Sequence, residues 1–429
     1  MNWNDKVKSV FTTYPRNGDT KNTFWIEREE QKALRNYLSQ EDHICIDGPT
    51  GSGKSSLVIT NLYRENIKHA MIQLTGELTW TDFCKQLVDP KIVNTNNFNA
   101  GFEIGVSGGL PEGKLSFSLG SSGDELQDLE YLLKKAESWT EHDLCRELQD
   151  KDITLVIDDT ERCSDTLLKR LSDVAKIQIQ SYPSKNARLV FIGAGGVLSR
   201  LLNANDSLGD RINHLSIGAF QDKSYSWHFL VEGFNRLGMR NPTNSKFKSE
   251  IERTAECKKT TYYAADGLPK SLNKLGKNIA LFSGHGNHAS AATIINESKK
   301  MFQQNWRIHS KNYTSIANLL RSDYVAELII KELWDTGIGA VHYLDQMEKK
   351  IVGSKDENGN EITNDKFYSI IDELMETNFL TVSGSSKGIV FATNPSSAHT
   401  FGVAMHNRSL FSGASKLLSG LEQLELEFG

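Results

Sequence analysis

The chain has 429 residues, 38% of them hydrophobic and 24% charged, with a net charge of -5. That balance predicts a globular protein of about two to four domains, with no global basic field to gather nucleic acid. Five scattered cysteines without a CxxC pair exclude a disulfide framework or zinc site, and the absence of any apolar run near ~18 residues or of an apolar signal core points to a cytoplasmic protein without a membrane span.

In chain order, residues 27–40 read as a helix with Ala33, Leu34, Tyr37 and Leu38 on one face. HICID (43–47) reads as a buried strand, followed by GPTGSGKSS and a helix. AMIQLT (70–75) reads as a strand and TWTDFCKQLVD (79–89) as a helix. Two alternating segments, FEIGV and KLSFSL, flank a Gly-Pro turn and predict a β-hairpin within 98–123. A long polar helix (124–149), the strand ITLVI (153–157), a helix (164–180), the strand ARLVFIG (187–193) and a last strand HLSIGAF (214–220) complete an alternating pattern. Alternation of this kind implies a parallel sheet with helices on both faces and its ligands at the carboxyl ends of the strands.

From 224 to 305 the pattern is helical. Helices at 322–335, 342–351 and 365–377, then strands NFLTVSG (378–384) and GIVFATN (388–394), give the plan of a winged helix. The expected architecture is therefore α/β. A P-loop NTPase parallel sheet with a β-hairpin insertion (1–223) is followed by a helical lid (224–305) and a C-terminal winged-helix domain with its tail (306–429).

GPTGSGKS (48–55) fits GxxxxGK[ST], for which roughly 0.02 chance matches are expected in a chain of this length. Glycines at this spacing let backbone N–H groups point inward at phosphate oxygens, and the following helix N-terminus adds partial positive charge. Gly48, Pro49, Thr50, Gly51, Ser52, Gly53, Lys54, Ser55 and Ser56 are thus candidate ATP-binding residues. Lys54 reaches the β- and γ-phosphates, and the Ser55 hydroxyl ligates Mg²⁺. ITLVIDDTER (153–162) ends a strand in acids. Asp158 is a candidate Mg²⁺ ligand acting through water. Asp159 or Glu161 is a candidate to orient or deprotonate the attacking water. A solvated acidic turn is the other reading of that run.

These motifs resemble the AAA+-like and STAND NTPases, including origin-recognition-type ATPases, over most of the chain. FWIEREEQKALRNYL (24–38) looks like the box those families carry ahead of the P-loop, which implies Ile26 and Arg28 near the adenine. IDDTERC also resembles the acidic strand of the KAP ATPases. Arg211 in SLGDRINHLSIGAF matches the arginine-finger position, with Arg200 as competitor. GLPKSLNKL (267–275) resembles the STAND GxP motif, which implies Pro269 facing the nucleotide and Lys270 at the sensor-2 position. Two departures, Gly193-Ala194-Gly195 at sensor 1 and Asp159 in place of a glutamate, imply slow, regulatory turnover.

The helix that would enter a DNA groove, DKFYSIIDELMET, carries Asp365, Asp372, Glu373 and Glu376 against one cation, Lys366; the wing adds Lys387, with Arg408 beyond it. Phosphates repel such a face, so a protein partner is favoured over DNA. The resemblance implies a homo-oligomer and an ATPase switch acting on a separate effector or sensor protein, with bacterial anti-phage defence as its home by analogy. The alternatives are a DNA-bound initiator, loader or transposition regulator, for which Lys258-Lys259 and Lys299-Lys300 speak, and a nucleotide-dependent scaffold.

Overall fold

The computed structural model describes residues 2–12, 27–88, 103–105, 133–220, 223–284, 288–383 and 388–407. Helices α1 (Trp3–Val10) and α2 (Glu30–Leu38) precede β1 (His43–Asp47), α3 (Lys54–Arg64), β2 (His69–Gln73), α4 (Trp80–Val88) and β3 (Glu103–Gly105). After a helical stretch at 133–137 come α5 (Glu141–Lys151), β4 (Thr154–Asp158), α6 (Asp165–Ser181), β5 (Leu189–Ile192), α7 (Val197–Ala204) and β6 (Ile212–Ser216).

The six strands form one sheet in the order β3-β2-β4-β5-β1-β6. Five are parallel, and β3 closes one edge antiparallel to β2. Successive residues of each strand go to opposite faces. Cys45, Ile72, Leu155, Ile157, Leu189 and Phe191 pack beneath α4, α5 and α6. Ile44, Ile46, Met71, Val156, Val190 and Ile192 pack beneath α2 and α3. Burial on both faces explains why these strands read as unbroken apolar runs. All five cysteines are free and buried.

The second layer of structure is helical. It comprises α8 (Lys223–Leu237), α9 (Lys248–Glu252), α10 (Thr254–Ala265), α11 (Pro269–Ser283) and the 32-residue α12 (Ala291–Ser322), which runs through position 305 into the C-terminal unit. The N-terminal α1 packs here: Val7, Val10 and Phe11 share a core with Leu230, Phe234, Leu272 and Ile279. The C-terminal unit has α13 (Tyr324–Thr336), β7 (His342–Tyr343), α14 (Leu344–Ile351), α15 (Asn364–Glu376), β8 (Leu380–Ser383), β9 (Ile389–Ala392) and α16 (Pro395–Asn407). Its three strands form an antiparallel sheet, β7-β9-β8. Phe367, Ile370, Leu374, Phe379 and Phe401 fill its core with Trp306 and Tyr313 of α12.

The structure departs from the sequence reading at four places. The helix expected over 124–149 is interrupted at 138–140, where the Trp139 carbonyl accepts the Trp80 indole N–H (2.8 Å) and Thr140 begins α5 with a reciprocal capping box to Asp143; 124–132 lies outside the described residues. The last core strand starts two residues earlier and ends four residues earlier than expected. After Ile217 donates to the Asp47 carbonyl, residues 218–220 leave the sheet to meet other segments. Of the predicted hairpin, only 103–105 is described, and it pairs with β2; the rest of 98–123, together with Ile26, Lys387 and Arg408, lies outside the described residues. Helix α16 has no apolar stripe to give it away, since serines, histidines and a glycine interrupt PSSAHTFGVAMHN.

Candidate nucleotide-binding site

The loop between β1 and α3 turns on three glycines, Gly48, Gly51 and Gly53, at φ 142°, 88° and 92°. A Cβ on Gly48 would lie 2.1 Å from the Ile217 carbonyl oxygen, so only glycine lets the loop leave β1 against the neighbouring strand end. The Lys54 ammonium donates to the Gly48 and Pro49 carbonyls at 2.9 and 3.0 Å. Burial lowers its pKa, while Asp158, Glu161, Asp47 and Asp159 raise it. Four carboxylates thus converge on one lysine.

The acidic strand end comes from β4, which β5 separates from β1. Asp158 accepts the Ser55 hydroxyl at 2.6 Å, so the first turn of α3 and the strand-end acid are already in contact. Burial pushes the Asp158 carboxyl up to about 6, against the lowering effect of the Ser55 hydrogen bond. This arrangement fits Mg²⁺, a small hard cation that takes one or two protein oxygens and fills its remaining positions with phosphate oxygens and water. Ser55 and Asp158 would hold it, and it would supply charge to offset the developing negative charge on the phosphates.

Asp159 follows in the left-handed region at φ 53°. Its carboxylate accepts the Gln73 side-chain amide at 2.7 Å and faces Arg162 at 3.7 Å. Glu161 turns the other way and accepts the Ala194 backbone N–H at 3.0 Å. A Cβ at Gly193 would sit 2.6 Å from that same carboxylate oxygen, which accounts for glycine at this position. Arg200 holds the acidic turn from outside, donating to the Glu161 and Cys163 carbonyls and pairing with Asp165 at 2.7 Å. Its fork is occupied. Among the described residues Arg211 makes one side-chain bond, to the Ser207 carbonyl at 3.0 Å, and it is half-buried.

The Arg28 side chain is 5% exposed and braces the loop from below. It donates to the Ser52 and Gly218 carbonyls, each at 2.6 Å, pairs with Glu30 at 3.0 Å and lies 4.9 Å from the Phe220 ring centroid. Charge-assisted bonds of this kind are worth about 1.5–3 kcal/mol each. Arg28→Met, which leaves both carbonyls unpaired, is expected to lower stability by about 3 kcal/mol in urea denaturation; an unchanged midpoint would show the brace to be idle.

The lid touches the same loop. Helix α11 starts at Pro269, and the Lys270 N–H donates to the Gly51 carbonyl at 3.2 Å. Ideal Cβ positions on Gly51 and Gly53 fall 3.0 Å from Lys270 and 3.5 Å from Pro269. The predicted pair therefore stands over the phosphate loop, with the positive end of α11 directed at it. Behind the loop, Phe220 N–H donates to Gly267 O (2.9 Å) and Ala219 N–H to Gly339 O (2.5 Å), so core, lid and C-terminal unit meet at one junction. Asp266 lies there, 4% exposed, accepting the Ser396 hydroxyl at 2.6 Å and the Leu268 N–H at 3.2 Å.

No protein-family model matches the chain, and no curated protein matches it. Among solved structures it is similar to the Walker-type ATPase of Pyrococcus abyssi, at 16% identity over 91% of this chain and 99% of that one, with a TM-score of 0.49. It is also similar to the ORC2 protein of Aeropyrum pernix in its ADPNP-ADP complexes (11% identity, 94% of each chain, TM-score 0.44) and to Cdc6p of Pyrobaculum aerophilum (12%, 98% of each chain, 0.36). At such identities and TM-scores, the chemistry assigned to this chain rests on its own site.

Sequence reasoning missed Gln73 and Asp266. Gln73 had a usable signal, a polar residue at the carboxyl end of an apolar strand next to the acidic one in the sheet. Asp266 had none, because its burial depends on α16.

Proposed function

We propose that the chain binds ATP-Mg²⁺ in the Gly48–Ser56 loop and hydrolyses it slowly as a regulatory switch. The observation that carries this reading is the 2.6 Å Ser55–Asp158 bond, which joins loop and acidic strand end as a shared Mg²⁺ site requires. Lys54, Ser55 and Asp158 bind the nucleotide and metal, and Asp159 or Glu161 handles the attacking water. Arg28 supports the loop, and Pro269 and Lys270 cover it from the lid. Slow turnover is supported by the acids' engagements: Gln73 holds Asp159, and Ala194 holds Glu161. Switching is supported by the lid's direct bond to Gly51 and by the junction that ties lid and C-terminal unit to the end of β6. A partner protein would read that arrangement, and the exposed acids of α15 favour a protein over DNA.

The test is steady-state ATP hydrolysis by the purified protein. Wild type is expected below about 1 s⁻¹, under the range of ordinary enzymes. Asp159→Asn should reduce the rate further. Gln73→Ala, which releases Asp159, should raise it several-fold. Fast turnover by the wild type without a trigger would refute the regulatory reading, and retained activity in Asp159→Asn would move the water-activating role to Glu161.

A further inference from the structure

Charge is divided unevenly along this chain. Residues 223–305 hold thirteen Lys and Arg against six Asp and Glu, a net +7 in a chain whose total is -5. The six acids are already engaged. Glu232, Glu252, Glu256 and Glu297 pair with Arg236, Lys248, Arg253 and Lys300. Glu250 accepts the Ala291 N–H, and Asp266 is buried at the junction.

Lysines are therefore left over, and three of them are ordered on one helix. Lys270, Lys274 and Lys277 of α11 stand at i, i+4 and i+7, which places them in one stripe roughly 10 Å long. None makes an ion pair among the described residues. The stripe ends at Leu281 and Phe282, 37% and 67% exposed.

A matching face exists on α15. Asp365, Asp372 and Glu376 recur at i, i+7 and i+11, with Glu373 beside them, and all four are exposed. None is in an ion pair among the described residues; the helix's one lysine, Lys366, is taken by Asp323. Glu373 and Glu376 also line an open groove of about 630 Å³ between α12 and α15, with Asn318, Leu319 and Ser322 on its far wall. Met375, 38% exposed, adds an apolar contact on the same helix. Among the described residues of one chain no ion pair joins the two stripes.

We propose that the chain associates with itself by laying the α11 lysine stripe of one copy on the acidic face of α15 and its groove in a second copy. Two stripes of opposite sign, each beside an exposed apolar side chain, satisfy one another; a polyanion would engage only the first. The contact reaches to Lys270, beside the nucleotide loop.

The test is sedimentation velocity of the full chain at about 20 μM, with and without ATP-Mg²⁺, at 0.05 and 0.5 M salt. Wild type is expected to sediment above monomer mass at low salt and as monomer at high salt, where screening falls within a few ångströms. Lys274→Glu/Lys277→Glu and Asp372→Lys/Glu376→Lys should each be monomeric at low salt. Mixed in equal amounts they should associate, since each reversed stripe then finds its opposite on the other variant. A chain carrying all four reversals should self-associate as the wild type does. A monomeric wild type at both salts, variants that associate unchanged, or a mixture that stays monomeric would overturn the proposal. So would nucleic acid retained by wild type and lost only with the lysine reversals, which would make a polyanion the occupant of the stripe.

Discussion

Lys54→Ala is expected to weaken ATP binding by about 100-fold or more. The side chain is the cation on which Asp158, Glu161, Asp47 and Asp159 converge. Removing it withdraws charge-assisted bonds to the phosphates, worth about 1.5–3 kcal/mol each. It also leaves four carboxylates facing a triphosphate with no opposing side-chain charge in the loop. A loss of about 3 kcal/mol is two decades in Kd. The measurement is a titration with a fluorescent ATP analogue at fixed Mg²⁺, beside a urea denaturation to show that the variant is folded. Its own fold should suffer little, because among the described residues Lys54 Nζ bonds only to the flanking Gly48 and Pro49 carbonyls. Equal affinity in wild type and variant would remove the ATP assignment altogether.

Legibility in the sequence follows how local the physics is. Gly48–Ser55 and Asp158 could be read because a phosphate cradle fixes both residue types and spacing, and because β1 and β4 are buried runs of five residues ending beside it. Pro269 and Lys270 could be placed by resemblance, and the structure brings them to Gly51 and Gly53. What could not be read depends on distant chain. Arg28 is defined by the Gly218 carbonyl, 190 positions away. The end of β6 is set by Gly267 and Gly339, which draw 219–220 out of the sheet. Gly233 and Gly276 look like helix weaknesses, yet a Cβ on either would fall within 2.5 Å of the Phe11 ring, so they are the notches that seat α1. No periodicity within α8 or α11 announces a ring arriving from the N-terminus.

Asp266 carries the second large expectation, a pH dependence of stability centred on the junction. Burial pushes its carboxyl up to about 7 from an ordinary 3.8, although Ser396 and the Leu268 N–H stabilise the ionised form. The folded protein therefore holds this proton to higher pH than the unfolded chain does. The contribution to stability is whole below about pH 4, declines as pH rises toward 7, and is lost above that. A shift of about three units corresponds to about 4 kcal/mol at most. Asp266→Asn keeps the shape, an oxygen for the Leu268 N–H and an amide N–H that can donate to the Ser396 hydroxyl oxygen, but carries no charge to bury. The variant should match the wild type near pH 4.5 and exceed it by roughly 2–4 kcal/mol at pH 8, as read by urea denaturation at both pH values. Asp158, raised to about 6, and His43, lowered to about 4, titrate in both proteins, so the difference between them isolates Asp266. A difference of the opposite sign, with the wild type the more stable at pH 8, would mean that the carboxylate is accommodated ionised. The bond from Ser396 would then tie α16 to the lid as a charge-assisted contact, strongest at neutral pH, and substitution by asparagine would loosen the C-terminal unit instead of steadying it.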